Sequence, residues 1–391
     1  MQSLSLPEPA LEEMAFSQQL QQLICNEIEQ QGGAIPFDRY MELALYASAL
    51  GYYTAGMRKF GAQGDFVTAP EISPLFSRTL AHQIKQLLDL CAGGDVLEFG
   101  AGSGQMAVDM LRELDFLDAL PDSYLILELS PDLRQRQQQL VAAEIPHLRE
   151  RVQWLDRLPR QRLCGVVIAN EVMDAMPVHR FRIRDDNNGG VEEEMVTCTV
   201  GGLATEWRPA SPELQQEVAK LEIDLPTSCE SEINLRLKPW IAAISDVLEQ
   251  GALLLIDYGY TRSEYFHPQH SEGTLMCHFR HYAHADALLY PGLQDITAHV
   301  DFTAVAEAAD DAALRVSGYT NQASFLLACG IERLLQSDAA GQNAEWFQQT
   351  EGLKRLLLPS EMGERFKVMA LTRNIDEPLK GFTMNNMLHQ L

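Results

Sequence analysis

The residues of this sequence that could do chemistry gather at four points. The first is Glu98-Phe99-Gly100-Ala101-Gly102-Ser103-Gly104, an acid followed by glycines at alternate positions. Glycines so spaced let the backbone turn tightly and approach a ligand, and a following helix offers unpaired N–H groups. A dinucleotide fingerprint would need Gly or Ala at position 105, where this chain has Gln105. The second point is Glu128, which ends the apolar run LILEL and could accept two neighbouring hydroxyls at once. The third is Trp154-Leu155-Asp156, where a carboxylate could take an exocyclic amino group. The fourth is Asn170-Glu171-Val172-Met173-Asp174, whose two carboxylates and amide are costly to bury unless partnered. Each point has a plainer reading. The glycines could form a turn with no ligand, Glu128 a solvated strand end, and Asn170 or Asp174 a helix cap.

An acidic residue ahead of G-x-G-x-G is the arrangement of S-adenosylmethionine (SAM) binders, and the elements around it suit that reading. DVLEF (95–99), YLILEL (124–129), RVQWL (151–155), CGVVIAN (164–170) and ALLLID (252–257) read as buried strands. The segments SGQMAVDMLREL and PDLRQRQQQLVAAE between them read as helices, the second with Pro131 in its first turn. Strands alternating with helices predict a parallel, doubly wound sheet, with the ligand crevice beyond the strands' carboxyl ends. Glu128 then falls where a ribose would lie and Asp156 where an adenine amino group would lie.

The remaining segments frame this core. Residues 11–31 and RYMELALYASAL (39–50, stopped by Gly51) predict two N-terminal helices. Residues 52–74 are an irregular loop rich in glycine and aromatic residues, a kind that is commonly functional. Residues 178–208 predict a β-hairpin turning at Asn187-Asn188-Gly189-Gly190, and residues 212–249 a mainly helical insertion. Residues 259–300 read as irregular and rich in His and Tyr. Helices over 301–313 and 321–337 and a late strand, RFKVMAL (365–371), complete the chain.

Composition narrows the partners. With 55 acidic against 30 basic residues and no Lys/Arg run, a nucleic-acid footprint is absent. The net charge of −25 serves solubility first and a cationic substrate second. Seven scattered cysteines without a C-x-x-C pair indicate neither a zinc site nor a disulfide framework, and point to a reducing cytosol. His278, His281, His284 and His299 lack ligand spacing, so no metal is expected; they could act as proton acceptors. The N-terminus has no basic signal region, and apolar runs such as Gly251–Ile256 are too short to span a bilayer. A soluble, cytoplasmic protein is expected.

The chain resembles the MidA family, SAM-dependent arginine methyltransferases known in mitochondria as complex I assembly factors. The matching text runs from about residue 35 to 372 and includes YMELALYASALGYYTAG, KFGAQGDFVTAPEISPLF, LEFGAGSG, ANEVMDAMPV and SEINLRLKPW. It continues through LLIDYGY, GTLMCHFRHYAHADALLYPGLQDITAHVDFTAVAEAA and GYTNQASFLL. Members commonly carry Asp-Pro-Leu where this chain reads Ala285-Asp286-Ala287-Leu288, and the mitochondrial leader is missing, as in a bacterial member.

The resemblance implies an α/β fold: a Rossmann-like class I methyltransferase sheet with an N-terminal helical extension and substrate-binding insertions. Its expected segments are 1–90 (helical extension and active-site loop), 91–177 (first part of the core), 178–250 (insertion) and 251–391 (core completion with a substrate loop at 259–300). It implies SAM as cofactor, S-adenosylhomocysteine (SAH) as product, and an arginine-bearing protein substrate such as a respiratory complex I subunit. The donor would lie against Thr68, Pro70, Glu98, Gly100, Ala101, Gly102, Gly104, Glu128, Leu129, Leu155, Asp156, Asn170 and Glu171. Glu71, Glu171, Asp174, Glu232 and Asp257 would hold the guanidinium, with the loop Gly64–Glu71, hinged at Gly61 and Gly64, closing over the donor. A small-molecule methyltransferase and a non-catalytic SAM-binding assembly chaperone are the alternatives.

Overall fold

Apolar strands form the centre of the chain because each is covered on both faces. In the computed structural model, which describes residues 6–55, 67–184, 190–223, 225–226, 229–338 and 344–391, seven of them lie side by side in the largest sheet. In chain order they are β1 (Asp95–Phe99), β2 (Tyr124–Leu127), β3 (Val152–Leu155), β4 (Leu163–Asn170), β5 (Leu248–Tyr260), β6 (Arg315–Asn321) and β7 (Phe366–Arg373). Their order across the sheet is β6-β7-β5-β4-β1-β2-β3. Leu97 of β1 pairs in parallel with Leu125 on one side and Val167 on the other. Val96, Leu97, Val166, Val167, Ile168 and Leu253 to Ile256 have no exposed surface, so the runs are continuously apolar rather than alternating. Helices Pro74–Leu90 and Gln105–Phe116 pack Leu80, Ile84, Leu87, Val108 and Leu111 into the same core cluster.

One strand departs from the parallel expectation. β7 runs antiparallel between β5 and β6, pairing Met369 with Leu255 and with Tyr319. A continuous apolar run announces burial but not direction, so RFKVMAL reads the same either way.

The chain divides into two compact units. One comprises the described parts of residues 67–173, 238–259 and 302–391, and holds these seven neighbouring strands. The other comprises the described parts of residues 1–66, 174–237 and 260–301. This division cuts across the expected segments: helix Pro74–Leu90 joins the sheet, not the N-terminal extension, and helix Leu237–Val247 joins it almost entirely, not the insertion. The segment 260–301 joins the N-terminal residues.

In the second unit, helices Leu11–Gln30 and Phe37–Tyr46 accompany an antiparallel sheet with Val191–Thr199 at its centre. Leu20, Ile24, Phe37, Tyr40, Met41 and Val196 are buried together there. The second helix stops at Tyr46, short of Leu50, because Ala47 turns extended and Ala49 takes a positive φ. The expected hairpin is a larger sheet, His179–Ile183, Val191–Thr199 and Gly202–Pro209, and its turn at residues 187–189 lies outside the described residues. Strand Glu230–Ile233 interrupts the helical insertion, and residues 276–297 hold a three-stranded sheet where irregular chain was expected.

Two further differences have local causes. Gly330, at φ 94°, splits the expected helix 321–337 into Gln322–Cys329 and Ile331–Asp338. Cys25 and Cys198 form a disulfide, against the expectation from sequence: their separation of 173 residues hides the pairing until helix Leu11–Gln30 meets the sheet. With it the cysteine-based argument for a reducing compartment falls. No helix among the described residues is long and apolar enough to cross a membrane.

Candidate active site

The strand order reverses between β1 and β4, the position where an open α/β sheet leaves a crevice beyond its strand ends. The glycine loop leaves β1 there. Gly100, Gly102 and Gly104 all take positive φ, at 60°, 54° and 86°, a conformation that glycine adopts without strain. Gly100 donates its N–H to the Leu127 carbonyl at 3.0 Å and remains exposed, while Gly104 caps the helix Gln105–Phe116. The helix start therefore has backbone N–H groups to offer.

Glu98 is buried beneath this loop. Its Oε2 accepts the Tyr124 hydroxyl at 2.7 Å. Burial pushes its carboxyl up to about 7; the Tyr124 hydroxyl opposes the shift and the charge of Glu128 adds to it. Glu98 thus ties β1 to β2 inside the sheet through Tyr124.

Glu128 follows β2 and is held at both oxygens. Oε1 accepts the Ser130 N–H at 2.9 Å and Oε2 accepts the Gln137 amide at 3.0 Å. Gln137 was not anticipated from sequence, nor was Arg134, which donates to the carbonyls of Glu128 and Leu155 and to Asp156 Oδ1. Asp156 is 84% exposed in its side chain and Leu129 is 63% exposed, whereas Leu155 is half-buried. Only the position of Gln137 and Arg134 on one helical face could have marked them.

The fourth point brings three segments together. After β4, Glu171 takes a φ of 53°, an unusual state for a residue with a side chain, and donates its N–H to the Ile256 carbonyl at 2.9 Å. Its Oε1 accepts from Asn170 Nδ2 at 3.1 Å and from the Ala69 N–H at 3.3 Å. Thr68 and the buried Pro70 belong to the single turn around Ala69–Ile72, which also carries Glu71. Glu71 Oε1 accepts the hydroxyl of Ser103, inside the glycine loop. The loop residues 61–66 lie outside the described residues. Ser73, not Glu71, caps the helix Pro74–Leu90.

Two other expected acceptor carboxylates meet backbone donors. Asp257 has no exposed surface, and its oxygens accept the N–H groups of Met173 and Tyr258 at 3.0 and 2.9 Å. Glu232, in the N-terminal unit, is buried and accepts from the Thr274 N–H at 2.9 Å and from its hydroxyl at 3.1 Å. Both accept backbone N–H groups, and Glu232 Oε1 is buried with no hydrogen-bond partner among the described residues. Asp174, buried in that same unit, accepts the Ala298 N–H at its backbone carbonyl, and no helix follows for it or Asn170 to cap.

These residues fit a bound ligand of mixed polarity. Asn170 Oδ1 is buried with no hydrogen-bond partner among the described residues, an acceptor that is costly to leave unpaired. Phe99 pairs with Ala169, so Asn170 and the exposed Gly100 directly follow paired residues on adjacent strands.

Comparison with known proteins agrees with this geometry. Residues 76–320 match the family described as "Putative S-adenosyl-L-methionine-dependent methyltransferase". A COG1565 superfamily member from Burkholderia thailandensis, crystallised with S-adenosyl-homocysteine, is 42% identical, with a TM-score of 0.92 over 99% of this chain and 100% of that one. The mitochondrial protein arginine methyltransferase NDUFAF7 homolog of Drosophila melanogaster is 28% identical over 90% of this chain and 86% of its own. The Danio rerio protein arginine methyltransferase NDUFAF7 is 27% identical over 87% and 83%. This chain belongs to the MidA family of SAM-dependent methyltransferases, with SAM as its cofactor.

Proposed function

We propose that the protein methylates an arginine side chain of a protein substrate. The observation that carries this reading is that the turn Ala69–Ile72 links both carboxylates to the glycine loop: Glu71 of that turn accepts the Ser103 hydroxyl, and Glu171 accepts the turn's Ala69 N–H. The names of relatives at 26–28% identity support it. SAM supplies, when bound, an electrophilic methyl group on a sulfonium. Backbone N–H groups from Ala101 to Ser103 would hold its amino-acid end, Glu128 its ribose hydroxyls, and Leu129, Leu155 and Asp156 its adenine side. Thr68, Pro70, Ala101 and Asn170 would complete the wall.

A guanidinium stays cationic in water, so it enters as a charge that carboxylates must hold. Glu71 and Glu171 would grip it from two sides and fix its orientation, the condition for reaction at a positioned donor. Asp257 would keep the chain at Met173 and Tyr258 in place through their N–H groups. The partner suggested by the resemblance is a subunit of respiratory complex I, met in the cytoplasm.

Two measurements test this. Lysate from a strain lacking the protein, incubated with purified enzyme and SAM, should acquire new methyl-arginine by mass spectrometry; its absence would sink the reading. Glu71→Gln and Glu171→Gln should keep SAH affinity within a few-fold while turnover falls by ~10²-fold or more, as misplaced reactants do.

A further inference from the structure

The helix Pro131–Glu144 buries only Leu133, Gln137 and Val141, one stripe at four-residue spacing. A glutamine in the middle of that stripe, with no exposed surface, is costly unless every polar group on it is paired. Here each is paired, and each partner lies on a different segment. Nε2 donates to the Gly102 carbonyl at 2.9 Å and to Glu128 Oε2 at 3.0 Å. Oε1 accepts the indole N–H of Trp154 at 2.9 Å. The loop also packs on it directly: a Cβ at Gly104 would stand 3.1 Å from the Gln137 side chain.

We propose that Gln137 is the positioning residue of the donor site. It ties the glycine loop, the carboxylate after β2 and the strand β3 into one arrangement before SAM arrives. The Glu128 carboxylate is then held in one rotamer, and the Gly102 peptide in one orientation. No other residue type does this. Glutamate lacks the donors, methionine lacks donor and acceptor, and asparagine is one methylene too short. The inference rests on the placement of SAM across the glycine loop and Glu128 proposed above.

The test is calorimetric titration of SAH into wild type, Gln137→Met, Gln137→Glu and Glu128→Ala at pH 8, with thermal melts of each. Both Gln137 variants should bind SAH about 10- to 100-fold more weakly, the range for a lost hydrogen bond to a charged group. Gln137→Glu keeps an acceptor for Trp154, so the Trp154 indole N–H resonance should move in Gln137→Met and stay close to wild type in Gln137→Glu. Melting temperatures that fall while SAH affinity stays within threefold of wild type would mean a purely structural role and overturn the proposal. If Gln137→Met does not fold, Gln137→Glu decides alone. Undiminished affinity in Glu128→Ala would instead overturn the donor placement; weakened binding there, with both Gln137 variants unaffected, would remove Gln137 only.

Discussion

Glu98 shows how a single side chain can join two strands and tax the fold together. Its carboxyl titrates near 4.5 in the unfolded chain and near 7 when buried beneath the glycine loop. Below pH 4.5 both states hold the proton and nothing is lost. Between 4.5 and 7 the unfolded state releases it first, so stability falls as pH rises; above 7 the loss is constant at about 3 kcal/mol. Glu98→Gln keeps an acceptor for the Tyr124 hydroxyl without the charge. Urea midpoints measured from pH 4.5 to 8 should therefore decline less in the variant, with the largest gain above pH 7. Parallel curves would mean that the buried carboxyl does not titrate in this range.

At the scale of elements, the N-terminal helix depends on a covalent tie. Cys25 of Leu11–Gln30 is bonded to Cys198 of Val191–Thr199, closing a span of 173 residues. Restricting an unfolded chain over that span is worth up to about 5 kcal/mol in the chain-entropy account. Cys25→Ser should lower the melting temperature of the protein without reductant. Dithiothreitol should lower that of the wild type and leave the variant unmoved. An equal response of both to reductant would place the effect at another cysteine.

For the whole molecule, the proposed donor site draws on distant segments: residues 68–70, 98–104, 128–129, 155–156 and 170–171. An unfolded chain cannot gather them, so SAH should bind the folded state alone. At a hundredfold excess over its Kd, SAH should then add about 2.7 kcal/mol, and a tenfold rise in SAH about 1.4 more. Melting temperature should climb with the logarithm of SAH concentration, and a flat response would contradict the placement of the site.

The sequence by itself determined the glycine loop, the five parallel core strands and the family. These are local: a G-x-G-x-G between an apolar run and a helix needs no distant partner to be legible. The same holds for Glu128, placed by its position at the end of β2. Tertiary structure alone decided the direction of β7, because burial leaves no mark of orientation in a continuous apolar run. It also decided the roles of polar side chains. Asp257 and Glu232 look like Glu71 and Glu171 in sequence, yet Asp257 accepts the N–H groups of Met173 and Tyr258, and Glu232 Oε2 accepts the N–H and hydroxyl of Thr274. Gln137 looks like its neighbours in the run RQRQQQ, and only the packing of the helix selects it for burial. A hydrogen bond between residues far apart in the chain leaves no local signature, and such bonds, with the Cys25–Cys198 bridge, are what folding added.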